Sequence, residues 1–229
     1  MIDPFAYTRR SPLIHRLANP ATLWRALADV AYADEIGGDT ALPPIAVADL
    51  SALPRIGFKG RGALAAMETR GIQLEPVPNR CFRQADGSLC LVLAKSEVIL
   101  LSPFDGSADN VPQAYDGWSF NDEERTYPLP RRDSHAWLAV TGAAAAEMFA
   151  KLCAIDLRID KFPDLAIAQT SIARMNAIVA RTDVGAVPVF HLLVDSAAAQ
   201  YFCDCILDAA EEFGGRLVGL GALRKLASV

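Results

Sequence analysis

Apolar and polar residues alternate along several short stretches of this chain, and each such stretch predicts a strand. Ile45-Ala-Val-Ala-Asp49, Leu53 to Lys59, Leu89-Cys-Leu-Val-Leu93 and Glu97-Val-Ile-Leu-Leu101 read this way, as do residues 136–140, 167–175, 177–182 and 187–195. Asp86-Gly87, between two alternating stretches, predicts a hairpin turn. Elsewhere the apolar positions recur at helical spacing. Asn19-Pro20 ahead of Ala-Thr-Leu-Trp-Arg-Ala-Leu predicts a helix capped by Asn19, with Leu23, Leu27, Val30 and Ala31 on one face, ended by Glu35-Ile-Gly-Gly-Asp. A second helix is expected from Gly60 to about Arg70, closed by Gly71, and a third over 143–153. The last runs from Ser196, its cap, to Phe213, with Ala199, Phe202, Cys203, Ile206, Ala209 and Ala210 as its apolar face.

One unit of this pattern occurs twice. Ile56-Gly-Phe-Lys-Gly60-Arg-Gly-Ala-Leu-Ala-Ala-Met67 and Leu138-Ala-Val-Thr-Gly142-Ala-Ala-Ala-Ala-Glu-Met-Phe149 are each a short strand, a glycine and an alanine-rich helix. The glycines are offset by 142 − 60 = 82 residues. Two like halves bury a shared face, and their seam is where a ligand or partner is expected. The order β-α-β-β in each half predicts an α+β protein made of two pseudo-repeated, ferredoxin-like lobes. Lobe one covers about 40–102 and lobe two about 135–215, within a single domain over 1–229. Residues 103–134, rich in Pro, Gly, Asp, Asn and Ser, read as the connection between halves, in part mobile.

Composition narrows the function classes. A 229-residue chain with 52% hydrophobic and 21% charged residues can bury a substantial core. A net charge of −5 without a basic stripe argues against nucleic acid as a partner. No apolar run reaches the roughly 20 residues of a membrane span. The opening Met1-Ile-Asp-Pro has an acid where a secretory signal has basic residues, so a cytoplasmic location is expected. Five cysteines at irregular spacing predict reduced, buried thiols rather than disulfides.

Candidate chemistry is sparse. Cys203 and Cys205 would point about 200° apart on a helix, and the three histidines are scattered, so no metal site is expected. His191 falls within an alternating strand and reads as a satisfied sheet residue. Gly57-Phe-Lys-Gly60-Arg-Gly62 lacks the phosphate-loop form and reads as a tight strand-to-helix turn. Its amides beside Lys59 and Arg61, with Arg55, could still hold a carboxylate. Asp49 and Ser51 lie at a strand end, where Asp49 either caps the next turn or serves a ligand. Asn79 follows two prolines, Pro76 and Pro78. None of these motifs makes a catalytic residue.

Val47-Ala-Asp-Leu-Ser51 and Arg55-Ile-Gly-Phe-Lys-Gly60 resemble the opening of the aminomethyltransferase (glycine cleavage T protein) superfamily. Leu152-Cys-Ala-Ile-Asp-Leu157, Phe162-Pro163, Ala168-Gln-Thr170, Ala180-Arg181, Leu193-Val-Asp-Ser196-Ala and Ala209-Ala-Glu-Glu-Phe-Gly214 resemble the gamma subunit of heterotetrameric sarcosine oxidase. The likeness spans about residues 45–214 and implies two related lobes around a folate pocket. True aminomethyltransferases carry an acidic pair soon after the hairpin glycine, and an Arg-Thr-Gly-Tyr-Thr-Gly-Glu segment whose glutamate holds the pterin. Here Gly87 is followed by Ser-Leu-Cys-Leu-Val-Leu, and the second segment reads Arg181-Thr-Asp-Val-Gly-Ala-Val, without a glutamate. An unpaired pterin N–H in a pocket costs about 1–3 kcal/mol. The resemblance also implies that the family's C-terminal barrel, which would follow Gly219-Leu-Gly-Ala-Leu-Arg224, is absent.

The expectation is therefore a non-catalytic structural or assembly subunit of a multisubunit amine-demethylating oxidase, with flavoprotein subunits as partners. No intrinsic cofactor is expected, and tetrahydrofolate is the one ligand the resemblance allows. The alternative is a tetrahydrofolate-dependent aminomethyltransferase-like enzyme acting on aminomethyl or N-methyl donors, with Asp49 or Asp86 as the acid and Arg181 as an anion contact. A third reading is a binding module for another small acid held by Arg55, Lys59 and Arg61; a filled apolar seam would count against it.

Overall fold

A computed structural model describes residues 2–38, 42–107, 111, 114, 118, 119 and 123–227. Its strands, numbered in chain order, are β1 (Thr22–Leu27), β2 (Val30–Ile36), β3 (Ala46–Asp49), β4 (Arg55–Lys59), β5 (Arg80–Arg83), β6 (Leu89–Ala94) and β7 (Glu97–Leu101). The later ones are β8 (Tyr127–Leu129), β9 (His135–Thr141), β10 (Ile167–Ile172), β11 (Met175–Val184), β12 (Val187–Asp195) and β13 (Arg216–Val218). They form a hairpin β1-β2, a sheet of order β5-β6-β7-β4-β8 and a sheet of order β10-β11-β12-β9-β3-β13. All pairings are antiparallel except β13 with β3. With the helices Ala63–Thr69, Ala145–Ala150, Ala199–Glu211 and Leu220–Ala227, this is a mixed α+β fold.

The repeat is real in space, and it exchanges strands. The series β3, β4, helix Ala63–Thr69, β5, β6, β7 is followed by β8, β9, helix Ala145–Ala150, β10, β11, β12. Each series sends its first strand to the other's sheet: β3 pairs with β9, and β8 pairs with β4. Gly60 (φ +143) and Gly142 (φ +129) occupy matching junctions. A methyl group on Gly60 would overlap the carbonyl of Arg125, and one on Gly142 the carbonyl of Pro44. Both carbonyls lie just ahead of an exchanged strand, so only glycine lets the helix start this close to it.

Alternation sorts the side chains into three cores. On β6, Leu89, Leu91 and Leu93 face the seam between the sheets, while Cys90 and Val92 face outward under the helix Ala63–Thr69. On β12, Val189 and Leu193 face the seam, while Phe190, Leu192 and Val194 face the helix Ala199–Glu211. Both sheets thus bury both faces, each side chain choosing its layer by parity. The apolar face expected on the last long helix is buried residue for residue.

Three expectations from the sequence are corrected. The segment after Asn19 is not a helix but the hairpin β1-β2, turned at Ala28 (φ +50). Asn19 does accept from the Ala21 amide (2.9 Å), but that bond heads a turn into a strand. The physical reason is β2, which puts Val30 and Tyr32 into the seam core and Ala31 and Ala33 into the outer core. A helix would bury only one stripe there, and tertiary packing overrides the helix propensity of the alanines and leucines. Second, the cap of the C-terminal helical segment is Asp195, which accepts from the Ala197 amide (2.8 Å), and not Ser196. Third, the connection 103–134 contains β8, an integral strand of the first sheet. Residues 108–110, 112, 113, 115–117 and 120–122 of that connection lie outside the described residues.

Candidate functional site at the seam of the two sheets

The seam is filled. Leu91, Leu93, Ile99 and Leu101 from the first sheet meet Trp137, Ala139, Ala180, Val189 and Leu193 from the second. The sheets also join at their edges, where the Ile167 amide donates to the Asn79 carbonyl (3.0 Å) and the Cys81 amide to the Leu165 carbonyl (2.9 Å). A cavity of about 280 Å³ remains at one mouth of the seam. The β5-β6 hairpin, residues 102–104, the end of β11, His191 and Ala227 wall it.

Arg55 does not serve the cavity. Its guanidinium donates to five carbonyls, those of Ser51 (2.9 Å), Leu53 (3.1 Å), Arg131 (3.2 Å), Arg132 (3.0 Å) and His135. All five N–H donors of an arginine are thereby used. Burial lowers its pKa to about 10, and the neighbouring Asp49 works the other way. Asp49 lies at the end of β3 with Val47, on the face turned from the seam, and accepts from the Ser11 hydroxyl and the Ser51 amide (2.9 Å). Burial raises its pKa, partly offset by those hydrogen bonds. The Ser51 hydroxyl accepts from the Trp137 amide (3.1 Å).

Asn79, at φ +60, holds the sheet junction, its side chain accepting from Gln169 Nε2 (2.9 Å). Lys59 is mostly exposed and pairs with Glu97 (2.9 Å). Arg181 alternates away from the seam, gripping both oxygens of Asp183 (2.8 and 2.7 Å) and the carbonyls of Ile159 and Phe162. Asp86 Oδ1 accepts from the Ser88 amide (2.9 Å) and hydroxyl (2.6 Å). The six sequence candidates therefore do not converge: none of Asp49, Ser51, Arg55, Lys59, Asn79 and Arg181 lines the cavity.

The polar residues that do line it include Ser102, Thr182 and His191. His191 is 1% exposed and sits on the seam face of β12. Its Nδ1 accepts from Trp137 Nε1 (3.2 Å), and its Nε2 lies 2.8 Å from Thr182 Oγ1. Burial, aided by the charge of Arg83, lowers its pKa to about 4, so the ring is neutral at physiological pH. An indole N–H only donates, so Nδ1 carries no proton and Nε2 carries one. The ring of Phe104 stacks near His191, with centroids 5.8 Å apart. His191 is the satisfied sheet residue that the sequence predicts, with both ring nitrogens bonded, while Ser102 and Thr182 were not singled out. Sequence reasoning did single out both segments that wall the cavity, the hairpin after Asp86 and the run from Arg181, as places where expected acids are missing.

Among curated proteins none matches this sequence. Residues 122–227 match the family model of the GCVT N-terminal domain. A chain of the heterotetrameric sarcosine oxidase from Corynebacterium sp. U-96, solved with pyrrole 2-carboxylate, is similar in structure at 19% identity and a TM-score of 0.66. The match covers 91% of this chain and 97% of that one. The glycine cleavage system aminomethyltransferase T from Bartonella henselae is similar at 14% identity and a TM-score of 0.70. There the match covers 96% of this chain and 62% of the transferase.

The fold is thus of the aminomethyltransferase type. Within it, residues 122–227 carry the similarity to the GCVT N-terminal domain.

Proposed function

We propose that this chain is a non-catalytic structural subunit of a multisubunit amine-demethylating oxidase in one-carbon metabolism, partnered by flavoprotein subunits. The observation that carries the reading is the filled seam. Leu89 and Leu91, which follow the hairpin glycine on the seam face of β6, pack among apolar side chains where a pterin would need carboxylate acceptors. The buried carboxylates described, Asp34 and Asp49, are committed elsewhere: Asp34 to Arg25 and Arg224, Asp49 to Ser11 and Ser51. Near-complete overlap with a chain of a heterotetrameric oxidase supports a subunit role.

Calorimetric titration of the purified chain with tetrahydrofolate tests this. No saturable heat is expected at micromolar concentration. Micromolar binding, with methylenetetrahydrofolate formed from an aminomethyl donor, would overturn the reading in favour of a transferase. Affinity capture of the tagged chain from its native cell is expected to bring down a flavin-bearing partner, visible by its absorbance. Capture of the chain free of flavin would also count against the subunit role.

A further inference from the structure

The junction at Gly60 carries charge that the rest of the molecule does not use. A cleft of about 450 Å³ opens beside it, lined by Gly60, Arg61, Arg125 and Tyr127. Both guanidiniums are exposed, and neither has an ion-pair or hydrogen-bond partner among the described residues. The neighbouring cations are matched, Lys59 to Glu97 (2.9 Å) and Arg70 to Glu124 (3.3 Å). Two unmatched positive charges thus share one cleft on a chain whose net charge is −5. Their mutual repulsion is a cost that an acidic occupant turns into attraction.

The backbone beneath them is fixed. The Gly62 amide donates to the Arg125 carbonyl (3.4 Å), and a methyl group on Gly62 would overlap the carbonyl of Glu124. Main chain that cannot shift has little freedom left to lose when a partner covers it. Arg125 itself sits at φ +50, a left-handed conformation that glycine adopts far more readily. An arginine held there points to a use for its side chain. The shape of the cleft then selects the occupant. Exposed ion pairs are worth only a few-fold each in affinity, so a small free anion gains little. Tyr127, 44% exposed beside the arginines, adds a flat apolar face that a protein segment can cover. Arginine and tyrosine are also the residues that most often anchor protein interfaces. β8 ends its sheet, but it is short and carries Pro128, so a partner does not join it as a further strand. Nucleic acid would meet the negative charge of the rest of the chain.

We propose that this cleft docks an acidic segment of a partner protein, its carboxylates on Arg61 and Arg125 and an apolar side chain on Tyr127. The proposal rests on the subunit reading for who the partner is, and on the cleft alone for where and by what chemistry it is held.

The probe is the peptide Glu-Glu-Phe-Glu-Glu, titrated at low salt into the full-length chain while the Gly60 and Gly62 amide signals are followed by NMR. Saturable shifts are expected, with a dissociation constant of about millimolar for so short a segment. Arg61→Gln and Arg125→Gly are each expected to weaken binding about threefold, and together about tenfold. Arg125→Gly suits the left-handed backbone, so it should melt no lower than the parent while still losing affinity. Lys161→Gln removes an exposed cation elsewhere and should leave binding unchanged. The peptide Gln-Gln-Phe-Gln-Gln, which keeps the length and the ring, should bind the parent about tenfold more weakly. Equal binding of the two peptides, no saturable shift, undiminished binding by the double variant, or inorganic phosphate binding as tightly as the acidic peptide would each overturn the proposal. In capture from the native cell, a flavin-bearing partner held by the parent should be lost from the Arg61→Glu, Arg125→Glu double variant, and its full retention would overturn the proposal too. A parent chain that captures no flavin speaks against the subunit reading, while the peptide titration still decides the cleft.

Discussion

The two strand–glycine–helix junctions answer one backbone problem in the same way, while their surroundings differ. At Gly60 and at Gly142 a helix starts against the carbonyl that precedes an exchanged strand. Around Gly142 the outer face of the sheet is covered by two helices, Ala145–Ala150 and Ala199–Glu211, and carries a large core that includes Phe149, Phe190 and Phe202. Around Gly60 the core is smaller, with Phe58, Met67 and Val98 under one helix and Val111 and Ala114 packed beside it. Backbone constraints have been kept in both halves; side-chain chemistry has diverged freely. What persists in a repeat is what the main chain cannot do without.

The harshest way to break that comparison is to add one methyl group. Gly60→Ala and Gly142→Ala are each expected to cost more than about 4 kcal/mol, since overlap with a main-chain carbonyl forces the exchanged strand away. Soluble yield and thermal unfolding measure this. A Gly60→Ala chain melting within a few degrees of the parent would show that the junctions are not equivalent.

Next in size are the two buried guanidiniums. Arg55→Met strands five carbonyls and should cost about 3–5 kcal/mol in urea unfolding. Arg181→Met loses two carbonyls and leaves a half-buried Asp183 unpaired, for about 2–3 kcal/mol. The reverse ranking would mean that the second half depends more on its arginine than the first.

The pH response is smaller and bears on the seam. His191 has a folded pKa near 4, below its unfolded value of 6.5, so the unfolded chain binds more protons between these limits. Its contribution is complete above about pH 6.5 and is lost as pH falls toward 4. His135 shifts the same way, from burial and the nearby Arg131, but is only partly buried and contributes less. His191→Phe should flatten the fall in urea midpoint between pH 7 and pH 5; an unchanged slope would place the effect elsewhere. The smallest effect is that of Lys59→Ala. The ammonium is exposed and Glu97 keeps Arg131, so a change within about 0.5 kcal/mol is expected in the same assay.

Much of this fold could be read from sequence wherever a local pattern met a local demand. The alternation of β6, β7 and β12, the hairpin at Asp86-Gly87 and the buried face of Ala199–Glu211 all follow from periodicity. The hairpin β1-β2 could not be read, because Leu23, Leu27, Val30 and Ala31 satisfy a helical stripe equally well. Only the presence of a core on each side of β2 decides for a strand. The candidate site was less accessible still. Arg55 and Arg181 look like free cations in a sequence, and only folding reveals the carbonyls that occupy them. Ser102, Thr182 and His191 are unremarkable residues, brought together from separate strands and loops by sheet packing.

The exchange of β3 and β8 has a consequence for the chain while it is being made. Synthesis runs at about 5–20 residues per second, and domains tend to fold from the N-terminus as they emerge. Here the first sheet keeps an open edge until Tyr127–Leu129 has left the ribosome, and β3 must wait for β9 before it has an antiparallel neighbour. Neither half can be completed and set aside while the other is translated. The nascent chain must hold an unsatisfied strand from the first half until the second arrives, so a pause or break between residues 60 and 127 would leave an edge open to other chains.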